Sequence, residues 1–497
     1  MKTRLSICFA LSLPVSVVLG IAESHACGNQ MHAWITMRAL DYVDSPGLKA
    51  FLDSGLAGAQ GREFEAHLRN GTMFPDAGYA YRITNDTYAM SCPSEEGYEE
   101  REMVMKFGEI AHWEPFQQGY LEQFTQTYLL PGDSPESELE FAFLLGMASH
   151  GIADQVYDAV LMKGSKHHDK TTGWGPCEWG EPWPYEFSRP VYAPFDSASD
   201  IIWTAQEGDQ DVPAVSFPGD ALVATFEAGY EEFKARGLSD CEFSHFTETS
   251  HQSLPANQDG SELGIQSEEL FWNGINLVGF GMELVKGWAE DETDLEQAKL
   301  FYPWAKERFE IPGSYGGPDS IARITARLWE TVWAEASGDT TWQSNLIIGS
   351  FPGDNGFAHP ISAASPTSNV SLVFARQLSD NQNFEEMIRW TDSDGNTVEF
   401  SAEHFYRANV LNLRPVADLA LDTRYQIEFL ADITLKNGLV APAGTSIGFS
   451  TGEAPPEPEI PAASSSGCAS TTGGHVVWLL GMLLWFLRSG YRRGCAE

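Results

Sequence analysis

Residues 144–158, LLGMASHGIADQVYD, carry the strongest structural signal in the chain. Apolar residues recur there and in the flanks at spacings of three and four, which predicts a helix over residues 138–161. His150, Asp154 and Asp158 share one face of that helix. Because the flanks are apolar, burying one imidazole and two carboxylates there is costly unless a cation joins them. The stretch favours a divalent metal site, with a solvated acidic face as the alternative.

The same periodicity continues on both sides of this stretch and predicts a mainly α-helical domain over residues 27–350. Further helices are predicted at residues 31–42, 98–120, 220–235, 268–288 and 320–336. The segment 171–194 is crowded with Trp, Pro and Gly and is predicted to be a loop. Such a loop either walls a site or packs on its own aromatic rings.

After residue 353 the pattern changes from helix to strand. Short strands are predicted at residues 370–374, 397–400, 425–430 and 446–449. Together they predict a β-sandwich over residues 356–452, which makes the chain multidomain. The run Leu413-Arg414-Pro415 and the closing Phe449-Ser450-Thr451-Gly452 resemble bacterial Ig-like domains. That resemblance implies a spacer or adhesive module, and no catalytic constellation is visible in it.

The N-terminus is predicted to be a signal peptide, residues 1–26. Lys2 and Arg4 precede an apolar run, and Ser24-His25-Ala26 supplies small residues for cleavage. Cleavage there makes Cys27 the first residue of the mature chain. A membrane anchor is the alternative.

The C-terminus is predicted to be a sorting signal. Residues 453–474 form a Pro/Ser/Gly-rich stalk, and residues 475–497 combine a short apolar helix with an arginine cluster. With Cys468, these features resemble the sorting tags of bacterial surface proteins, including the MYXO-CTERM type. The resemblance implies export and attachment to the cell surface or outer membrane through the tail. An ordinary tail anchor is the alternative, and it too places the body outside the cytoplasm.

The net charge of the chain limits the classes of molecule that it can bind. Thirty Lys and Arg against 70 Asp and Glu give a net charge of -40. A chain of this charge repels nucleic acid and anionic headgroups, so nucleic acid is not a favoured partner. Recruiting an anionic substrate requires a cation that the protein binds. No CxxC spacing occurs, which disfavours a thiolate zinc site, and the cysteines of the body allow several disulfide pairings without selecting one.

Three further segments offer metal ligands, although each is uninformative alone. His32 lies close to the predicted mature N-terminus. Phe74-Pro75-Asp76 is predicted to mount a carboxylate just after a proline-fixed turn. His112 is predicted to lie on the helix 98–120.

In this order, the motifs resemble the zinc-dependent phospholipase C family, and most closely the catalytic domain of the glycosylphosphatidylinositol-specific phospholipases D. The matching stretches are Cys27-Gly28, His32, Phe74-Pro75-Asp76, His112-Trp113 and residues 143–154. The resemblance covers roughly residues 27–200. It implies a helical site for three zinc ions and hydrolysis of a phospholipid or glycolipid phosphodiester.

The resemblance also implies a division of the ligands between two zinc ions. One ion would take the amine and carbonyl of Cys27 with His32. A second would take Asp76, His112 and His150, and Asp154 would bridge the two. Asp76 would also accept a proton from the attacking water.

The sequence departs from the family pattern at the third ion. Asp158 stands where the relatives carry a histidine, and Asp196 and Asp200 occupy the segment of an expected second histidine. Aspartate oxygens bind zinc, so the site is expected to hold two or three ions. Three alternatives stay open: a surface binding or adhesion protein whose metal site has lost catalysis, a single-strand nuclease of the same superfamily, and a structural surface protein without metal.

Overall fold

The computed structural model describes most of the two predicted folded regions. It covers residues 28–80, 112, 114–162, 195–210, 278–279, 281–301, 316–352, 356–357, 370–379, 382–404, 409–417, 419–420, 422–436 and 438–451. The following predicted features lie outside the described residues: the signal peptide, Cys27, the loop 171–194, the helix 220–235, the stalk and the sorting tail.

Helices form the first part of the described chain. They are α1 (Asn29–Ala39), α2 (Pro46–Ala57), α3 (Gly61–Ala80), α4 (Glu114–Thr127), α5 (Pro135–Val156), α6 (Phe195–Glu207), α7 (Glu292–Phe301) and α8 (Pro318–Ala336). A 3-10 turn, Leu40–Tyr42, continues α1, and residues 281–290 are also helical. The helices predicted at residues 31–42 and 320–336 are confirmed as α1 and α8. Within the described part of the chain, no helix has the length and apolar character needed to cross a membrane.

The central helix is α5. The Ser134 hydroxyl accepts a hydrogen bond from the Ser137 amide, and the Ser137 hydroxyl accepts one from the Ser134 amide, so the helix start is capped reciprocally. Pro135 at the first position fits this start because its missing N–H has no helical partner to lose. Residues 140–156 are all buried. The predicted helix 138–161 is therefore confirmed, but only as far as Val156 in α-helical form.

A π-helix, Tyr157–Met162, follows α5 directly. Its hydrogen bonds span five residues instead of four, so the α-helical spacing that aligned Asp158 with Asp154 no longer applies. Single-turn π-helices of this kind are frequent at functional sites. The sequence pattern did not predict this change because the apolar spacing continues through it.

Helices α3 and α5 approach each other backbone to backbone. A Cβ atom at Gly146 would lie 2.0 Å from the carbonyl oxygen of Leu68, and one at Gly71 would lie 2.1 Å from that of Phe143. Neither position has space for a side chain. The two glycines thus permit a helix crossing closer than larger residues allow.

The predicted proline-fixed turn before Asp76 is wrong, because Pro75 lies inside α3. Proline has no N–H to donate to the carbonyl of Gly71, which normally weakens or breaks a helix. Here the extensive packing of α3 on α5 outweighs that local cost. Asp76 consequently projects from a helix.

Two four-stranded sheets form the C-terminal part of the described chain. The strand orders are β1-β3-β6-β5 and β2-β10-β7-β4, and β8 and β9 form a separate pair. The strands are β1 (Ile347–Phe351), β2 (Gly356–Phe357), β3 (Val370–Phe374), β4 (Ile388–Asp392), β5 (Phe400–His404), β6 (Val410–Pro415), β7 (Arg424–Phe429), β8 (Ile433–Thr434), β9 (Val440–Ala441) and β10 (Ser446–Ser450). Side chains of both four-stranded sheets share one core, which contains the stacked pair Phe374 and Phe429 and the buried Trp390.

Three predicted strands are confirmed as β3, β7 and β10. The strand predicted at residues 397–400 forms only in part: Thr397 makes an isolated antiparallel bridge with Thr391, and β5 begins at Phe400. The sheets also start at Ile347, ahead of the predicted boundary at residue 356, because β1 pairs with β3. A short strand that depends on a distant partner leaves little trace in local sequence.

The sheets pack directly on the helices. The Asn409 amide donates to Gln155 Oε1 at 2.8 Å, and Asn412 Nδ2 donates to the carbonyl of Ala159 at 3.0 Å. Val373 and Val410 of the first sheet belong to the same apolar core as the helices. Helices and sheets lie in one compact unit that ends at Ala454. The sheets and the helices therefore share buried hydrogen bonds and an apolar core.

Candidate metal centre

Five of the predicted ligands converge where α1, α3 and α5 meet the turn before α4. They are His32 from α1, Asp76 from α3, His112 from the turn, and His150 and Asp154 from α5. Each is at most 6% exposed. The prediction that His112 lies on a helix is wrong, because α4 begins only at Glu114. From this turn, His112 Nε2 lies 2.9 Å from His150 Nε2 of α5.

The side chains form two groups that share His150. One group contains His32, His150 and Asp154, and the other contains Asp76, His112 and His150. Within each group, the nitrogen and oxygen atoms that can bind a metal all lie within 4.8 Å of one another.

Asp154 faces both groups with separate oxygens. Its Oδ1 lies 2.7 Å from His32 Nε2, and its Oδ2 lies 3.1 Å from His112 Nε2 and 3.3 Å from His150 Nε2. A carboxylate that presents one oxygen to each of two ligand groups has the geometry needed to bridge two cations.

The tautomer of His150 is fixed from the side opposite the site. Its Nδ1 lies 2.6 Å from the carbonyl oxygen of Thr72, which can only accept, so Nδ1 carries the hydrogen. Nε2 is then left with a lone pair, 2.9 Å from His112 Nε2. A histidine that donates its second nitrogen to a carbonyl is the usual arrangement of a metal ligand. Thr72 was not predicted, because a backbone carbonyl leaves no signal in the sequence.

Asp76 provides the test of whether a cation fits. The residue is 3% exposed, and neither carboxylate oxygen has a hydrogen-bond partner among the described residues. His112 Nε2 is 3.5 Å from Asp76 Oδ1, which is an ion-pair distance only. A buried carboxylate without hydrogen bonds is costly, and a cation between it and the imidazoles removes that cost. Imidazole nitrogens and carboxylate oxygens are the ligands of zinc, so the residues fit this ion.

The two carboxylates are held in the ionised form. Burial works to raise the pKa of Asp154, but the neighbouring imidazoles of His32 and His150 and the hydrogen bond from His112 lower it well below its usual range. Burial likewise opposes ionisation of Asp76, whereas the contact with His112 and the nearby imidazole of His150 lower its pKa. Both groups are thus ready to bind a cation without releasing a proton.

The pKa values of His112 and His150 are shifted in opposite directions. Burial disfavours protonation of His112, yet its contacts with Asp154 and Asp76 raise its pKa well above the usual value. Burial, followed by the charge of His32, lowers the pKa of His150. In the absence of metal, a proton on His112 supplies positive charge to the carboxylates. A divalent cation would supply two positive charges in place of that one and would displace the proton.

The ligands predicted for a third ion are placed differently. Asp158 lies in the π-helix and belongs to neither group of the described residues. Asp200 is 2% exposed and accepts hydrogen bonds from the backbone amides of Gln30 and Met31, at 3.2 and 2.8 Å. Burial raises the pKa of Asp200 to about 7 against the effect of those bonds. Asp196 lies in α6, and its side chain is outside the described residues, as is Cys27.

Comparison with known proteins gives one family match. The sequence model of the zinc dependent phospholipase C family matches residues 31–176. All five converging side chains lie within that range, and Asp200 lies beyond it. No curated protein matches the chain.

Solved structures add little. The crystal structure of the S-layer protein rSbsC(31-844) is 8% identical, with 69% of this chain and 45% of that chain covered and a TM-score of 0.18. The N-terminal part of the bacterial S-layer protein SbsC is 9% identical, with 68% and 78% covered and a TM-score of 0.18. The chain thus spans under half the length of the first of these structures. Similarities at this TM-score carry no argument about the fold or the function.

Proposed function

We propose that the protein is a zinc-dependent phosphodiesterase that hydrolyses phospholipid or glycolipid phosphate esters. The observation that carries the proposal is the convergence of five buried metal-binding side chains from four separate segments. The match of residues 31–176 to the zinc dependent phospholipase C family supports the choice of zinc and of a phospholipid substrate. The net charge of -40 is consistent with a bound cation as the means of recruiting a phosphate.

The proposed ligand sets follow the two groups. His32 and Asp154 would hold one ion, together with the amine and carbonyl of Cys27 when the chain begins there. Asp76, His112, His150 and Asp154 would hold the other. Bound zinc supplies Lewis-acid polarisation of a phosphoryl oxygen and a nucleophile at neutral pH.

Groups of the protein itself orient the metal ligands and accept the proton of the attacking water. The Thr72 carbonyl keeps the Nε2 lone pair of His150 directed into the site. Asp76 has two carboxylate oxygens without hydrogen bonds in the described structure, so one can bind metal while the other accepts the proton of the attacking water. The buried walls exclude bulk water from these charges, which strengthens their interaction with a phosphate.

Two ions are proposed here, although the family resemblance implied three. Asp158 is in neither ligand group, and the oxygens of Asp200 are engaged by backbone amides. The placement of Asp158 also supports the decayed-site alternative, because an incomplete third site lowers turnover more than it lowers metal binding.

The first test is zinc content, measured by inductively coupled plasma mass spectrometry on the purified full chain. We expect about two zinc ions per chain, and a loss of at least one in His150→Ala because His150 belongs to both groups. The matched control is His67→Ala. His67 lies in α3 and is buried like His150, but it belongs to neither group. Metal content that is unchanged in His150→Ala would contradict the proposal.

The second test separates the candidate substrates. The zinc-loaded protein is assayed on phosphatidylcholine vesicles, on a glycosylphosphatidylinositol and on single-stranded DNA. We expect hydrolysis of a lipid phosphodiester that chelator abolishes and added zinc restores. Cleavage of DNA alone would favour the nuclease, and bound zinc without any hydrolysis would favour the binding protein.

We also propose that the enzyme works outside the cytoplasm, attached through its tail, and that residues 356–452 form an Ig-like domain. The targeting segments support export. The Tyr425 hydroxyl accepts from the Ala420 amide at 2.7 Å, which resembles the tyrosine corner of Ig-like sandwiches. Mass spectrometry of the mature N-terminus tests cleavage before Cys27.

A further inference from the structure

Three buried hydroxyls lie next to the metal centre and connect the helices that carry it. Thr36 Oγ1 is 2.8 Å from Thr72 Oγ1 and 2.6 Å from Ser149 Oγ. All three side chains are 0% exposed. They belong to α1, α3 and α5, so a continuous chain of hydrogen bonds links these helices.

The direction of the hydrogen bonds follows from the hydrogens available. Thr72 Oγ1 donates to the carbonyl oxygens of Leu68 and Gly146, at 3.2 and 3.3 Å. A hydroxyl has one hydrogen, and either oxygen can be the donor in the Thr36–Thr72 and Thr36–Ser149 pairs. The direction in which Ser149 donates to Thr36, Thr36 to Thr72 and Thr72 to a carbonyl satisfies all of these contacts. In this arrangement each of the three hydroxyl hydrogens is donated to a hydrogen bond. Removing one hydroxyl therefore leaves a buried neighbour without its partner.

Each helix carries one of these hydroxyls within a turn of its metal ligand: Thr36 with His32, Thr72 with Asp76, and Ser149 with His150. In the first two pairs the residues are four apart and lie on the same face of a helix, whereas Ser149 directly precedes His150 in α5. The hydroxyl layer and the ligand layer are consequently neighbouring levels of the same three-helix junction. A change of helix spacing in one layer displaces the other.

We infer that Thr36, Thr72 and Ser149 are positioning residues, which set the spacing of α1, α3 and α5 and thereby the distances between the metal ligands. The inference rests on the proposed metal site. Its rival is that the hydroxyls only fill core volume. Valine has the shape of threonine without the hydroxyl, so the two explanations predict different results for Thr36→Val.

The first measurement is zinc affinity, by competition with a chromophoric chelator. We expect Thr36→Val to bind zinc about 10-fold more weakly, the lower end of the effect of losing a group that directly holds a metal ligand, because Thr36 acts on the ligands only through helix spacing. Thr36→Ser keeps the hydroxyl and is expected to stay within about threefold of the parent. The matched control is Thr325→Val in α8, because Thr325 is also 0% exposed but its hydroxyl has no hydrogen-bond partner in the described structure. The visible spectrum of the cobalt-substituted protein is expected to change in Thr36→Val and not in Thr325→Val.

The second measurement needs no metal. Amide hydrogen exchange is recorded in chelator, and exchange in α1 and in the second half of α5 is expected to be faster in Thr36→Val than in Thr36→Ser or Thr325→Val. Equal exchange and equal zinc affinity in Thr36→Val and Thr325→Val would overturn the inference. A parent protein that binds no zinc defeats the proposed function, whereas the exchange comparison still decides the positioning role. If Thr36→Val does not fold, Ser149→Ala replaces it in both measurements.

Discussion

Glu140 is a buried acid of α5 that lies well away from the metal centre. It is 2% exposed and accepts a hydrogen bond from the Tyr128 hydroxyl at 3.1 Å. Burial raises the pKa of Glu140 from 4.5 to about 7, with the Tyr128 bond opposing and the charge of Glu136 adding to the shift. The folded protein therefore keeps a proton on this group at pH values where the unfolded chain has lost it.

Because of that proton, the stability of the fold decreases as the pH rises. The raised pKa stabilises the fold below about pH 4.5, and this contribution is lost as the pH rises to about 7. Glu140→Gln removes the charge while keeping an acceptor for Tyr128. We expect it to raise the free energy of unfolding by about 1–2 kcal/mol at pH 8, after allowance for solvent screening, and by nearly nothing at pH 4.

Urea unfolding at both pH values, in chelator, measures this difference. Glu138→Gln on the same helix is the control, and because Glu138 is only half-buried we expect it to change the free energy of unfolding by less than about 0.5 kcal/mol. A gain for Glu140→Gln that is equal at pH 4 and pH 8 would show that Glu140 does not hold the extra proton.

Among the secondary-structure elements, the crossing of α3 and α5 carries the tightest constraint. Gly146→Ala puts a methyl group 2.0 Å from the Leu68 carbonyl, and backbone atoms cannot rotate aside. The helices must separate, which moves Asp76 away from His150. We expect a loss of about 3 kcal/mol in the free energy of unfolding and at least tenfold weaker zinc binding.

The matched control for this prediction is Gly287→Ala. Gly287 is also helical, but a Cβ atom there would meet nothing within 4 Å. Alanine is the better helix former, so this variant is expected to be as stable as the parent or slightly more stable. Urea unfolding and chelator competition on both variants decide the matter. A Gly146→Ala protein as stable as Gly287→Ala would refute the close crossing.

Helical periodicity was sufficient to predict α1, α5 and α8, and the pair His150 and Asp154 could be recognised from spacing alone. Local signals failed where distant contacts decide the outcome. Pro75 predicted a turn, but packing against a helix far along the chain maintains α3 through it. The hydroxyl of Thr36 was equally invisible, since a threonine inside a helix carries no sign of its partners.

At the level of the whole molecule, the β-region is joined to the end of α5. Asn412 Nδ2 donates to the carbonyl of Ala159 in the π-helix, and Asn412 Oδ1 accepts from the Ser371 hydroxyl at 2.6 Å. The spacer role that the Ig-like resemblance implied describes an independent module. Because a buried hydrogen bond joins the two regions, we expect them to unfold together.

Asn412→Ala leaves the Ala159 carbonyl and the Ser371 hydroxyl without this partner. We expect one unfolding transition by differential scanning calorimetry in both parent and variant, with the variant about 1–3 kcal/mol less stable. The exposed Asn345→Ala is the control and is expected to stay within about 0.5 kcal/mol of the parent. Two resolved transitions, with only one of them shifted, would mean that the regions fold separately.

The glycines of the α3–α5 crossing also restrict which sequence changes homologous proteins can accept. A lineage that gains a side chain at position 71 or 146 has to rebuild the junction before it can use the same ligands. We therefore expect distant homologues to inherit two spaced signatures together, Gly-Thr-x-x-x-Asp from α3 and Gly-x-x-Ser-His-x-x-x-Asp from α5, even where the rest of the sequence has diverged.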